Sequence, residues 1–273
     1  MPYSDEGSIL TTPADEEPAL SNRADEKAAS SELLEKIDEL ADRMGGMDMA
    51  LNLLANQSGS PQVLGAHADL FLERFQGTGK EVDIDNAISA YELAIGTMST
   101  DHEEYGAYAG DAGIAWLKRF ETFGNIHDID RAVSLLEICV SFTPENDANL
   151  TGRLNNLGIS FMSRFILTED LADIEKAISN QQRAVELTPP GDTDLPGRLN
   201  NLGSSLQFRF GRTADLADIE NAIFNIQRAV DLTPLGHADL SAYLSNLGNL
   251  FQFRFRLETS QTLKMQYPTN NMP

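Results

Sequence analysis

The sequence predicts an all-α fold of stacked helix pairs, and two observations carry that prediction. First, a block of 45 residues recurs without a gap: RLNNLGISFMSRF at Arg153 returns as RLNNLGSSLQFRF at Arg198 and as YLSNLGNLFQFRF at Tyr243. Weaker copies open at Tyr108 (with Trp116, Arg119-Phe120, Asp128-Ile129, Ala132 and Pro144 in register) and at Val63 (with Arg74-Phe75, Asp83-Ile84 and Ala87). A fixed period of this length marks a repeat array, in which each unit packs on its neighbours. Second, apolar residues inside each block fall three or four apart, which places them on one face of an α-helix, in two runs parted by a turn.

Composition narrows the function classes. Of 273 residues 41% are hydrophobic, enough for a core, and the formal net charge is −22. Residues 1–60 hold 13 acidic and 4 basic side chains, so −9 of the charge lies there and −13 on the repeats. A field of that sign repels nucleic acid and anionic membranes and accepts a basic or neutral protein partner; solubility is the plain alternative. The single cysteine, Cys139, forbids an intrachain disulfide, which is compatible with a reducing compartment. MPYSDEGSIL lacks the pattern of a signal peptide, and no run of 18 apolar residues exists, so no membrane span and a cytoplasmic location are expected.

In chain order, residues 1–30 are rich in Asp, Glu, Ser, Ala and Pro and are expected to be disordered. Segment 31–60 opens on a helix with the stripe Leu33, Ile37, Leu40 and Met44, capped by Ser31, favoured by Glu32 and Glu35, and broken by Gly45-Gly46. Met49 to Asn56 reads as a further short helix. Two roles stand open for this segment: covering the first repeat's apolar face, or binding a partner helix. The array spans 61–256, with repeats starting near 63, 108, 153, 198 and 243.

Each full repeat reads as helix A then helix B. In the third, helix A is expected from about Asp147 to Phe165, with Leu154, Leu157, Phe161 and Phe165 buried and Gly158 permitting close helix approach. Helix B runs from about Leu171 to Thr188, with Ile174, Ala177, Ile178, Ala184, Val185 and Leu187 inward. Asp170 serves as its N-cap, and Asp173 stands where a capping box places an acid. Pro189-Pro190-Gly191 stops it, and Pro196 suits the first turn of the next helix A.

These residues resemble the tetratricopeptide repeat. Leu157-Gly158 and Phe161 match that family's helix A signature, and Ala177, Ala184 and Pro189 match helix B with the same steps of 7 and 5 residues. The large residue four after the first Ala is Tyr91, Leu136, Gln181 and Ile226 in successive copies, a looser match. The family period is about 34 residues; the longer period here lengthens both helices and the turn between them. The resemblance implies a right-handed α-α superhelix of about four and a half helix pairs. The long variant is similar to repeats in basidiomycete-type fungal proteins, many of which carry a C-terminal CHAT domain, a caspase-like peptidase fold; no such domain is recognisable in this chain.

No constellation here points to chemistry. Cys139 takes a helix B position that is Ala94, Ala184 and Ala229 elsewhere, a small core site. His67, His102, His127 and His237 are scattered, without metal-ligand spacing. The glycines belong to the repeats and form no phosphate loop. No catalytic residue, metal or cofactor is expected. The Arg-Phe pair of every copy reads as structural: the ring in the core, the cation near the end of helix A and within reach of an acid opening helix B.

In tetratricopeptide arrays the concave face is lined by helix A, and the resemblance carries that face onto Asn155, Asn200, Ser204, Asn249, Gln207 and Gln252. Neither of the two inner sets that clamp a carboxylate in chaperone-binding relatives contains Lys or Arg here, so a carboxylate clamp is not expected. Side-chain amides offer both donors and acceptors; they either bond the backbone of an extended peptide or link neighbouring helices, and both readings stand. The expected function is a non-catalytic scaffold for a protein or peptide ligand. The alternative is a regulatory fragment of a larger CHAT-type signalling peptidase. In the fifth copy the DLADIE segment is replaced by a polar stretch, 257–273, expected as a turn-rich tail. Helix A of that copy is expected to pack through Leu244, Leu247 and Phe251, while its other side lacks a helix B partner and leaves Phe255, and Phe251 in part, open, so that the chain self-associates through this end.

Overall fold

A computed structural model describes residues 35–43, 45–47, 49–51, 53 and 60–266, with side chains as far as 259. The expected disordered segment 1–30, Ser31 with Glu32 and Leu33, Met44, residues 54–56 and the tail beyond Gln266 lie outside the described residues. All regular structure among the described residues is helical. After helical residues 35–43 come α1 (Pro61–Thr78), α2 (Glu81–Thr97), α3 (Tyr105–Phe123), α4 (Ile126–Ser141), α5 (Leu150–Thr168), α6 (Leu171–Leu187), α7 (Leu195–Thr213), α8 (Leu216–Leu232) and α9 (Leu240–Gln266). Two compact units result, Met1–Leu93 and Ala94–Pro273.

In the first unit the short helix 35–43 buries Ile37 and Ala41 and ends at Gly45-Gly46, whose positive φ values (86° and 151°) only glycine adopts readily. Asp38 meets the Arg74 guanidinium of α1 at 2.5 Å. Phe71 and Phe75 of α1 and Ile84, Ala87 and Tyr91 of α2 complete this core.

In the second unit each helix A packs chiefly on its own helix B, and each helix B then packs on the next helix A. The boundaries follow local chemistry. Helix A stops where one residue turns left-handed, at Gly124, Glu169 and Ala214, whose N–H groups bond the carbonyls of Phe120, Phe165 and Phe210. The next residue caps helix B: the side chains of Asn125, Asp170 and Asp215 accept from the N–H groups of His127, Ala172 and Ala217. A left-handed non-glycine residue costs about 1–2 kcal/mol. Ala214→Gly is therefore expected to stabilise the array by about 1 kcal/mol, read as a rise in the urea midpoint; an unchanged or lowered midpoint would mean that the left-handed turn is not held in solution.

Helix B ends at a threonine whose hydroxyl bonds back to the carbonyl four residues earlier, at 2.6 Å each for Thr143, Thr188 and Thr233. Arg153 and Arg198, which open helix A, donate to Thr143 and Thr188 at 2.6 and 3.2 Å. The RLNNLG arginine thus ties the start of one pair to the end of the pair before it.

The core follows the predicted stripe. Leu154, Leu157, Phe161 and Phe165 are all buried, and Phe161 and Phe165 pack with Ile174 and Ala177 of α6. Gly158 does allow close approach: a Cβ there would lie 2.5 Å from Gln181 Cγ and 3.1 Å from the Ala177 carbonyl oxygen. Gly113 and Gly203 stand in the same way against Leu136 and Ile226. Gln181 is the discordant member, fully buried with neither its amide nitrogen nor its oxygen hydrogen-bonded. An unpaired buried polar group costs about 1–3 kcal/mol. Gln181→Leu, which copies Leu136, is expected to raise stability by about 1–2 kcal/mol; a lower denaturant midpoint for this variant would show that the amide has a partner.

Four expectations are corrected. Leu187 is 41% exposed rather than inward, because it is the last residue of α6. Asp173 closes no capping box; its carboxylate faces Arg164. Residues 257–266 are not turn-rich but continue α9. Of the residues expected to seat α9, Leu247 is buried and Phe251 is partly open as expected, but Leu244 is half exposed, and Tyr243 and Leu250 are buried in its place.

Candidate functional site

The arginine of the Arg-Phe pair is engaged in structure in each of the first four copies. Arg164 grips Asp173 with two parallel bonds of 2.8 and 2.7 Å and reaches back to Asp130 of α4 at 3.2 Å. Arg209 repeats this with Asp218 at 2.9 and 2.6 Å and with Glu175 of α6 at 2.7 Å. Arg119 meets Asp128 at 2.6 Å, and in the first unit Arg74 meets Asp83 at 2.7 Å. Each guanidinium therefore joins its own helix A to its own helix B, and in α5 and α7 to the preceding helix B as well. The bonds to Asp173 and Asp218 push the Arg164 and Arg209 pKa values above their ordinary value. Already bidentate and neutralised, these cations are not arranged to capture a ligand.

The buried titratable groups offer no activated nucleophile. Cys139 has no exposed surface, lies behind Gly110, and burial pushes its thiol pKa up, away from the reactive thiolate. Burial lowers the pKa of His67. Among the described residues no group of three His, Cys, Asp or Glu side chains is placed to hold a metal. No helix among them is long and apolar enough to cross a membrane.

The helix A surface of α5, α7 and α9 is different. Asn201 of α7 donates to the Asn155 side chain of α5 at 3.0 Å, and Asn246 of α9 donates to that of Asn200 at 2.9 Å. The doubled asparagine of RLNNLG thus runs as a ladder: the first residue accepts and the second donates to the preceding repeat. The Ser204 hydroxyl donates to the Asn200 carbonyl at 2.9 Å, while Asn249 and Gln252 are exposed. For Asn155 and Asn200 the carbonyl oxygens serve to link helices.

Of the hollows that indent this unit, two border residues named from sequence. The larger, of about 850 Å³, crosses the start of α5, α7 and α9; its walls include Asn155, Asn156, Asp192, Asp194, Arg198, Asn201, His237, Asp239 and Tyr243. Its one arginine is occupied: Arg198 is 6% exposed and bonds Thr188 and, at 3.0 Å, Asp194. Arg198 also approaches Asp192 at 3.5 Å, so one cation faces three carboxylates, Asp192, Asp194 and Asp239, and the hollow keeps a negative balance that suits N–H donors and positive charge. Burial, and then Asp239, raise the Tyr243 pKa. The smaller hollow, of about 340 Å³, is apolar, walled by Phe165, Ile166, Phe208, Phe210 and Phe253 with Gln207 at its edge. Of the residues named from sequence, Asn155 borders the first hollow and Gln207 the second; Asn200, Ser204, Asn249 and Gln252 wall neither. The acids Asp192, Asp194 and Asp239 were missed because they lie in inter-repeat turns, outside the helix register. The signal for Phe208 and Phe253 was their shared place in the repeat, one that holds Ser163 in the copy before.

Among solved structures the chain is similar to a putative kinesin light chain of Podosopora anserina with nearly identical TPR-like repeats, at 15% identity over 76% of this chain and 93% of that one, with a TM-score of 0.54. A second crystal structure, of a point variant of the same protein, gives 0.55. BtubC (BKLC) from P. vanneervenii shares 19% identity over 90% of this chain and 93% of its own, with a TM-score of 0.52. At these identities the likeness establishes the fold, a TPR-like array of helix pairs. No family model matches the chain, and no curated protein matches it in sequence.

Proposed function

We propose that the chain is a non-catalytic scaffold that holds a segment of another protein along its helix A surface, the concave face of such arrays. The observation that carries this reading is the hollow of about 850 Å³ that runs across three successive helices A and is walled by amides and carboxylates. Those groups complement the N–H donors of an extended backbone and basic side chains, and the overall charge of −22 draws such a segment in. Asn155 borders the hollow, and Asn200, Ser204 and Gln207 of α7 with Asn249 and Gln252 of α9 belong to the other two helices it crosses without lining it.

Affinity capture from extract with the full chain tests the reading, set against a triple variant, Asp239→Asn with Asn249→Ala and Gln252→Ala. All three residues are exposed, so the fold is expected to survive, as circular dichroism would confirm. Proteins held by the parent chain and lost from the variant support binding on helix A. The same set recovered by both would overturn it.

A further inference from the structure

The last helix of the second unit repeats a surface that every earlier copy covers. On α5 the stripe Leu154, Gly158, Phe161 and Phe165 lies under α6, its three side chains at most 3% exposed. The corresponding stripe on α9 is Leu244, Gly248, Phe251 and Phe255, and its side chains are 50%, 46% and 68% exposed. A Cβ at Gly113, Gly158 or Gly203 would strike the large helix B residue opposite, Leu136, Gln181 or Ile226; one at Gly248 would meet nothing within 4 Å.

The charge pattern is open in the same way. Arg254 holds Glu220 of α8 at 3.3 Å, the counterpart of the Arg209–Glu175 pair. Nine residues on, where Asp128, Asp173 and Asp218 receive their arginines, the sequence has Leu263. Arg254 turns to Glu258 on its own helix instead, at 3.1 Å, and its side chain is 43% exposed against 23% for Arg209. Nor, as far as Gln266, does the backbone turn back over the stripe. The other helices A end in a left-handed residue, whereas α9 runs on to Gln266 along its own axis.

We propose that this stripe is a docking site for an amphipathic helix of another protein built like helix B. The occupant carries an aspartate in its first turn followed by a β-branched apolar residue, alanine three residues later, and a large apolar residue four beyond that. This is the order of Asp218, Ile219, Ala222 and Ile226 in α8. The aspartate meets Arg254, the large residue seats over Gly248, and the residues between them cover Phe251 and Phe255. Helix-in-groove docking of this kind takes its affinity from apolar anchors and its register from the charge. The surface is separate from the hollows on helix A and does not depend on the function proposed for them.

The probe is a synthetic peptide with the sequence of residues 215–232, fluorescently labelled and titrated into the full chain. A Cβ at Gly248 meets nothing within 4 Å, so Gly248→Leu should hold the melting temperature while peptide affinity falls about tenfold or more. A peptide with asparagine in place of the aspartate at 218 is expected to bind the parent about tenfold more weakly, yet to bind Arg254→Ala no more weakly than the unaltered peptide does. The proposal is overturned by no binding, or by binding that neither Gly248→Leu nor the Arg254 cycle affects. It is also overturned, in favour of a second copy as occupant, if light scattering shows a parent oligomer that Gly248→Leu converts to monomer.

Discussion

Arg209→Ala is expected to destabilise the array by about 3 kcal/mol, the lower end of the range for breaking a buried ion pair by removing one partner. Most of that loss comes from what stays behind. The Asp218 side chain is 2% exposed and receives two parallel bonds from the guanidinium, so truncating the arginine leaves a buried carboxylate without a cation. Loss of the Glu175 contact adds little, because that glutamate is 58% exposed and water screens the pair. The partial exposure of Arg209 lets some water reach the orphaned acid, which is why the low end applies. Removing both charges in Arg209→Ala with Asp218→Leu is expected to recover at least half of the loss. Arg209→Lys should fall between, since one ammonium cannot supply the parallel bonds to Asp218 and also reach α6. Urea denaturation at neutral pH measures all three. A single variant within about 0.5 kcal/mol of the parent would show that the ladder is surface decoration.

Phe165→Ala is expected to cost about 3–5 kcal/mol, the range for deleting a buried aromatic ring. Phe165 is 3% exposed and packs among Phe161, Ile174 and Ala177. The same repeat position gives a graded series. Phe210 is only half-buried and should cost about half as much; Phe255 is 68% exposed, and its removal should change stability by about 0.5 kcal/mol or less. A sequence argument from recurrence alone assigns Phe165 and Phe210 the same effect. Equal losses at the two positions would show that the repeat pattern sets the energy; a graded series would show that the neighbouring helix does.

The candidate site was only partly legible. Helix register named Asn155, Asn200, Ser204, Asn249, Gln207 and Gln252, and the structure places them on three successive helices A. It could not show that the Asn155 and Asn200 oxygens already receive Asn201 and Asn246, because that bond joins residues 46 apart and depends on how closely two helices lie. The acids of the large hollow were hidden for another reason. Asp192 and Asp194 recur with the period, as Asp147 and Asp239 show, but they lie between the helices, where no apolar stripe tells which way a side chain faces.

By itself the sequence determined the all-α repeat, the two helices of each full copy, the caps at Asp170 and Asp215, the close approach at Gly158 and the buried stripe of α5. These features rest on interactions within a few residues along the chain, or on a pattern copied intact from one block to the next. Tertiary structure alone decided which of two acids a cation chooses and how far the open face of α9 extends. Asp173 has the spacing of a capping residue, yet the Arg164 guanidinium offers it a bidentate, charge-assisted bond that one backbone N–H cannot match. Leu244 and Phe251 carry the same letters and spacing as the buried Leu154 and Phe161. They lie open because burial of a helix face requires a second helix, and α9 runs straight on where its predecessors turn back.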